Sequence, residues 1–161
     1  MKALLISDSH GRDQYIERAI MKQYPIDRLI HLGDLESSES YLQTIATCPV
    51  EIVAGNCDPF SRLPKFKVIS FGRHQIFMTH GHLFDVRMGT ERLVREARQL
   101  GCDYALFGHT HVPCFKEEHG VTVINPGSIA LPKQADHKSS YVVLETDENE
   151  DIRVNFIYQA L

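Results

Sequence analysis

The chain has 161 residues, enough for one domain with a sizeable core. Hydrophobic residues make up 43% and charged residues 24%, an ordinary globular balance, and a net charge of −4 excludes a general basic footprint for nucleic acid. No apolar run is long enough to span a bilayer and the opening Met1 to Ser7 stretch is too short for a secretory signal, so a cytoplasmic protein with no membrane partner is expected.

Ala3 to Ser7 is a continuous apolar run, which predicts a buried strand with Asp8 at its end. Asp13 is placed to cap a helix carrying Ile16, Ala19 and Ile20 on one face and stopping before Pro25. Arg28 to Leu32 predicts the next strand, Ser38 to Ala46 a helix with Tyr41, Leu42 and Ile45 inward, and Glu51 to Ala54 a third strand. Such β-α-β-α-β units make a parallel sheet. Phe66 to Phe71 and Gln75 to Thr79 read as paired strands turning near Gly72. Thr90 to Leu100 reads as a helix with Leu93, Val94, Ala97 and Leu100 on its core face. Arg87, Arg92, Arg95 and Arg98 read as sharing one predicted helix, on its solvated face. Tyr104 to Phe107 predicts a strand, followed by short antiparallel strands at Cys114 to Lys116, Val121 to Asn125, Ser140 to Glu145 and Ile152 to Tyr158. Gly120 and the acidic run Asp147 to Asp151 supply turns, and the second half is expected to form a mixed sheet packed on the first.

The chemistry gathers in five short segments: Ser7-Asp8-Ser9-His10-Gly11, Leu32-Gly33-Asp34, Gly55-Asn56-Cys57-Asp58, Thr79-His80-Gly81-His82 and Gly108-His109-Thr110-His111. Most follow a predicted strand directly, where an α/β sheet assembles its site. Carboxylate, imidazole and amide oxygen together suit divalent transition metals. Asp8, His10, Asp34, Asn56, His80, His109 and His111 are too many ligands for one ion, which points to a metal pair. The four cysteines, Cys48, Cys57, Cys102 and Cys114, contain no C-x-x-C pair, as suits a reducing compartment; all but Cys57 are expected to act as buried small hydrophobes.

These segments, with Asn125-Pro126-Gly127-Ser128, resemble the calcineurin-like metallophosphoesterases, and among them the small bacterial and archaeal YfcE-like phosphodiesterase branch. The likeness spans essentially the whole chain. It implies one α/β domain over residues 1–161, a four-layer αββα sandwich of mixed sheets with a dimetal site at the sheet edge. It implies that Asp8, His10, Asp34 and His111 hold one ion and that Asp34, Asn56, His80 and His109 hold the other, with Asp34 bridging. Manganese is the first choice by this likeness, and nickel, iron, cobalt and zinc suit the same N/O ligands. Two ions sharing a carboxylate lie ~3.5–4 Å apart, the spacing for in-line attack of a bridging hydroxide on a phosphodiester. Only Asp8 and Asp34 bring negative charge, so the pair attracts an anionic substrate.

Larger relatives carry a histidine directly after the asparagine ligand, where this chain has Cys57. Leaving-group protonation then falls to His82 or to a metal-bound water, and diesters with acidic leaving groups are expected to react best. Catalytic work is thus assigned to Asp34, Asn56 and His82, and substrate binding to Asn56, Cys57 and His82, with support of the ligands as the other reading of His82. Asp58 is expected to buttress the Asn56 turn, Asn125 and Ser128 to support the rim, and His31 to be packed behind the ligands. His74, His119 and His137 have no motif around them and read as surface residues. The substrate is expected to be a small phosphodiester or nucleotide-like molecule, and the likeness suggests a homo-oligomer. Two further readings stay open: a nucleotide phosphatase or nuclease on the same site, and a metal-binding interaction scaffold like the eukaryotic sorting-complex subunit of this fold.

Overall fold

Lys2–Ile6 (β1) is apolar without alternation because both of its faces are covered. Leu4 and Ile6 point to one side, where they meet Ile16, Ala19 and Ile20 of a helix at Asp13–Gln23 (α1). Ala3 and Leu5 point to the other side and meet a second sheet. The computed structural model describes residues 1–37 and 39–159. The chain continues through Arg28–His31 (β2), Glu39–Ala46 (α2), Val50–Ile52 (β3), Phe66–Phe71 (β4) and His74–Thr79 (β5). A 3-10 turn at His82–Phe84 and a helix at Glu91–Gln99 (α3) lead to Tyr104–Leu106 (β6). Cys114–Glu118 (β7), Val121–Asn125 (β8), Ser139–Thr146 (β9) and Ile152–Gln159 (β10) complete it.

Two five-stranded sheets result, ordered β10-β9-β1-β2-β3 and β4-β5-β6-β8-β7. Between them lies a dry layer that joins Ala3, Leu5, Ile30 and Leu32 to Ile76, Met78, Leu106 and Ile124. Outside the second sheet, Phe77, Ala105 and Val123 pack on Leu93, Val94 and Ala97 of α3. Helix, sheet, sheet and helix make the expected four-layer sandwich. Successive residues of one strand serve opposite layers, which is the two-residue period of a pleated strand.

Register decides where function falls. β1, β2 and β3 run parallel with Ile6 opposite His31 and His31 opposite Ile52. β5, β6 and β8 run parallel with Met78 opposite Leu106 and Leu106 opposite Ile124. Six carboxyl ends therefore open along one rim. Among the described residues, no helix is long and apolar enough to cross a membrane.

Several local expectations are corrected. β9 and β10 extend the first sheet, β9 antiparallel to β1, so the second half is split between both sheets. β8 is antiparallel to β7 but parallel to β6. Asp13 is the first residue of α1, not its cap; Arg12 holds that position. Ser38, the expected start of α2, lies outside the described residues. Tyr41 and Leu100 are each 41% exposed rather than inward, Tyr41 because its hydroxyl reaches Glu17 at 2.6 Å. Cys102 is buried, whereas Cys48 and Cys114 are half-buried against the core edges. His74 is not a surface residue: its ring lies 2.5 Å from Asp103 and 3.3 Å from Asp151, edge-on to Tyr104. Arg87 lies before α3, and only Arg92, Arg95 and Arg98 are on it.

Candidate metal centre

Past the strand ends, the backbone leaves the sheet in the left-handed region. Asp8, His10, Asp34, His109 and His111 all have φ between 47° and 66°. Such a backbone costs non-glycine residues roughly 1–3 kcal/mol each and persists only where its surroundings fix it. The fixing bonds are present. Asp8 N donates to Gly33 O at 3.1 Å, His10 N to Asp34 O at 3.0 Å and Gly108 N to His80 O at 3.0 Å. Ser128 Oγ donates to Asp8 O at 2.8 Å, and Asn125 Nδ2 to Gly108 O at 2.9 Å. Asp58 accepts from Gly55 N, Glu36 N and Leu35 N at 2.8, 2.9 and 3.3 Å, so it ties the Asp34 loop to the Asn56 loop.

Ligand-type atoms of Asp8, His10, Asp34 and His111 fall within 4.8 Å of one another. A second group adjoins them across Asp34. His80 Nε2 lies 3.2 Å from Asn56 Oδ1, 3.3 Å from Asp34 Oδ2 and 3.9 Å from Asp8 Oδ1. The His109 ring centroid is 5.1 Å from that of His80. All seven expected ligands are thus brought together.

The hydrogen bonding behind the rings tests whether a cation fits. His111 Nδ1 donates to Leu131 O at 2.7 Å, and His80 Nδ1 to Leu32 O at 2.7 Å. In the neutral rings both Nε2 atoms then carry lone pairs, aimed at Asp8 Oδ1 (3.1 Å) and Asp34 Oδ2 (3.3 Å). Asp8 Oδ1 is fully buried and has no hydrogen-bond partner among the described residues. Imidazole nitrogens facing carboxylates in a buried place need positive charge between them, which a ring proton supplies and a divalent ion also fits. The same attraction shifts the titration of these groups. Burial pushes the Asp8 carboxyl up, but His111 and His80 outweigh it and hold it below the usual carboxylate range. Burial acts the same way on Asp34 and is outweighed by His80 and the Cys57 amide, which donates to Oδ1 at 2.8 Å. Burial pushes His80 down, while Asp34 and Asp8 more than reverse it. His109 is pushed down to about 4, by burial first and then by His80 and Arg87.

His10, Asp34, Asn56, Cys57, His109 and His111 line a cavity of about 560 Å³. His82 is not among the lining residues; its ring packs beside His80 and His109, at 5.4 and 6.2 Å between centroids. Burial and His80 hold its pKa low. His31 is fully buried behind the loops, bonded to Ser9 Oγ at 3.0 Å and accepting from Gly33 N at 3.1 Å.

Eight residues at the site escape the sequence reading. Glu36 Oε1 lies 3.2 Å from His10 Nδ1, and its only sequence signal is a position two after Asp34, as His10 is two after Asp8. Arg12, Arg87, Lys133 and His137 also line the cavity, together with Ala130, Leu131 and Pro132. Arg12 directly follows the first motif and Lys133 lies shortly after the last, but no spacing rule singles them out.

Buried carboxylates and imidazoles with inward lone pairs, at the common rim of two facing sheets, define a metal-dependent phosphoester hydrolase. The calcineurin-like phosphoesterase superfamily domain matches residues 1–149, and the chain belongs to that family. It is 36% identical over 162 residues to a probable metallophosphoesterase, YsnB of Bacillus subtilis, covering 99% of this chain and 92% of that one. It is 29% identical to the phosphodiesterase YfcE of Escherichia coli, over 96% of this chain and 93% of that one. A predicted phosphoesterase from Streptococcus pneumoniae, solved by crystallography, superposes with a TM-score of 0.85 at 29% identity, covering 99% of this chain and 92% of that one.

Proposed function

We propose that this chain, as a single domain, hydrolyses small phosphodiesters with two divalent ions held by Asp8, His10, Asp34, Asn56, His80, His109 and His111. The observation that carries the reading is the convergence of ring nitrogens and buried carboxylate oxygens on both sides of Asp34. Manganese is the metal proposed, and the likeness to YfcE, named a phosphodiesterase, supports the diester. When bound, divalent ions supply Lewis acidity and a water of lowered pKa.

The chain's own residues do the rest. Asp34 has one oxygen fixed by the Cys57 amide and the other facing His80 at 3.3 Å and His10 at 3.9 Å, so one carboxylate serves both groups. Asn56 has its Oδ1 toward His80 and its Nδ2 3.2 Å from Cys57 Sγ, on the cavity wall where a phosphoryl oxygen can replace the thiol as acceptor. His82 lies outside the cavity lining and burial and His80 hold its pKa down, so it acts by supporting His80 and His109 or by a hydrogen bond to substrate rather than as the proton donor. The Cys57 thiol is pushed up to about 12 by burial, then by Asp34 and Glu36, and is a weak acid. Leaving groups that depart without protonation are therefore favoured. A reducing compartment, the cytoplasm, is proposed from four cysteines that are all free.

The test is hydrolysis of bis(p-nitrophenyl) phosphate beside p-nitrophenyl phosphate, with chelator-stripped protein and single metals restored. Metal-dependent diester cleavage that vanishes in Asp34→Ala is expected. Near-normal metal content and turnover in Asp34→Ala would sink the shared-carboxylate arrangement, and cleavage of the monoester alone would make the protein a phosphatase.

A further inference from the structure

We propose that the cavity is built for phosphoesters that carry a second phosphate, recognised by Arg12, Arg87 and Lys133 beside the scissile group. The inference rests on the phosphodiesterase reading and names its substrate class.

The three cations come from three separate segments: the loop between β1 and α1, the turn before α3 and the loop between β8 and β9. All three line the same cavity as the ligand residues. Each is exposed, and solvated cations on a surface are the ordinary reading. What sets them apart is their shared place on the wall of the ligand cavity. Elsewhere on this chain some cations are paired, as Arg73 with Asp151 and Lys67 with Glu51, and others, such as Arg95 and Arg98, face no carboxylate at ion-pair distance among the described residues. Among the described residues, Arg12, Arg87 and Lys133 face no carboxylate within ion-pair distance. Asp85, two residues before Arg87, is engaged by Arg92 instead.

Two of the three are anchored at the rim. Arg12 Nη1 donates to Ala130 O at 3.2 Å, which engages one of its guanidinium donors at the cavity wall. Lys133 N donates to His111 O at 3.1 Å, which fixes its backbone to a ligand residue. Arg87 lines the cavity together with His109. Among the described residues, Asp34 is the one carboxylate lining the cavity, against three cations, in a chain of net charge −4. Concentrating unpaired cations in a concave site focuses potential on an anion. A simple diester carries one negative charge, and the ligand cluster claims it. A second phosphate matches the remaining cations, and Ala130, Leu131 and Pro132 give the organic part between the phosphates an apolar wall.

The test compares thymidine 5′-(p-nitrophenyl phosphate) with the same ester bearing a 3′-phosphate. The scissile bond and leaving group are identical, so the ratio of their kcat/KM values reads the distal charge alone. The 3′-phosphorylated ester should have a KM lower by roughly tenfold, the size of two exposed charge contacts. Its advantage should shrink with added salt, and the ratio should fall toward one in R87Q/K133Q and in R12Q. A wild-type ratio of one, or a ratio untouched in these variants, overturns the proposal. Calorimetry with thymidine 3′,5′-bisphosphate and thymidine 5′-phosphate reads the same rim without turnover. If neither ester is cleaved, a preference for the bisphosphate that R87Q/K133Q abolishes keeps the rim and discards the esterase reading. No preference discards the rim.

Discussion

Replacing Gly55 by alanine should detach the centre from its metal while leaving the fold standing. Gly55 does not have a positive φ, so its backbone accepts a side chain, and the obstacle is contact alone. A Cβ there would sit 2.0 Å from Asp34 Oδ1, 2.4 Å from Asp34 N and 2.8 Å from Asp34 Cγ. The first distance is more than an ångström inside the ~3.5 Å of nonbonded contact. The Asp34 backbone blocks retreat in one direction, so the carboxylate must swing away, breaking the 2.8 Å bond from Cys57 N. Metal ligands tolerate shifts of only ~0.2 Å, so affinity should fall by at least 10–100-fold. Overpacking of this kind costs about 1–3 kcal/mol of stability. Gly120→Ala is the matched control: its Cβ meets nothing within 4 Å, but its φ of +78° should cost roughly 1–2 kcal/mol through backbone strain alone. The assay is calorimetric titration of manganese into both chelator-stripped variants, with thermal unfolding measured on the same samples. Gly55→Ala should lose metal affinity out of proportion to stability, and Gly120→Ala should lose stability only. Wild-type affinity in a folded Gly55→Ala protein would refute the geometry of Asp34.

Three more outcomes follow from individual bonds. Asp58→Ala removes the acceptor for three backbone donors of two ligand loops and should cost about 2–4 kcal/mol by denaturant unfolding of the stripped protein, with Asp58→Asn losing less; equal stability would mean that water replaces the carboxylate. Burial holds His31 down to about 4 against an ordinary 6.5, so the unfolded chain binds the extra proton first and stability should fall by about 3 kcal/mol as pH drops through that window, then level off. His31→Asn, which keeps an acceptor for Gly33 N, should flatten this acid limb, and an unchanged limb would assign it to other groups. Cys57→His should make kcat/KM for aryl diesters less sensitive to leaving-group pKa, and identical slopes in both proteins would show that protonation at this position does not matter.

What the sequence made legible depended on how local the cause was. β1 and β2 are runs of buried apolar residues, and the ligands follow at their ends because the motif segments begin where the runs stop. Asp58 as a buttress was readable because its bonds stay within the adjoining loops. β9 and β10 were misplaced because a strand's partner is chosen by faces more than a hundred residues apart: Leu4 opposite Val143 is a pairing that no window of sequence contains. Arg87 was lost for the same reason. Its run with Arg92, Arg95 and Arg98 looks helical, but the helix begins only at Glu91, and the turn before it delivers Arg87 to a cavity lined from five other loops. His74 gained its partners from Asp103 and Asp151, on segments that converge only after both sheets form.

The location of the centre explains why its strained backbone is affordable to so small a chain. Bonds within one sheet, such as Asp8 N to Gly33 O, hold the strained ligands, and further bonds reach the site from across the seam between the sheets. His80, at the end of β5, gives its Nδ1 proton to Leu32 O beyond β2. Ser128, beyond β8, grips Asp8 O beyond β1. His109 N donates to Asp8 Oδ2 at 3.1 Å, again from the second sheet to the first. The apolar layer that joins the sheets therefore also sets the distances within the site. An error in sheet packing would part His80 and His111 from the carboxylates they face. Conversely, an ion drawing those groups together would tie the two sheets at their open rim. Fold and chemistry are coupled at this seam because the His80–Asp34, His111–Asp8 and His109–Asp8 contacts each pair a residue beyond one sheet with a residue beyond the other.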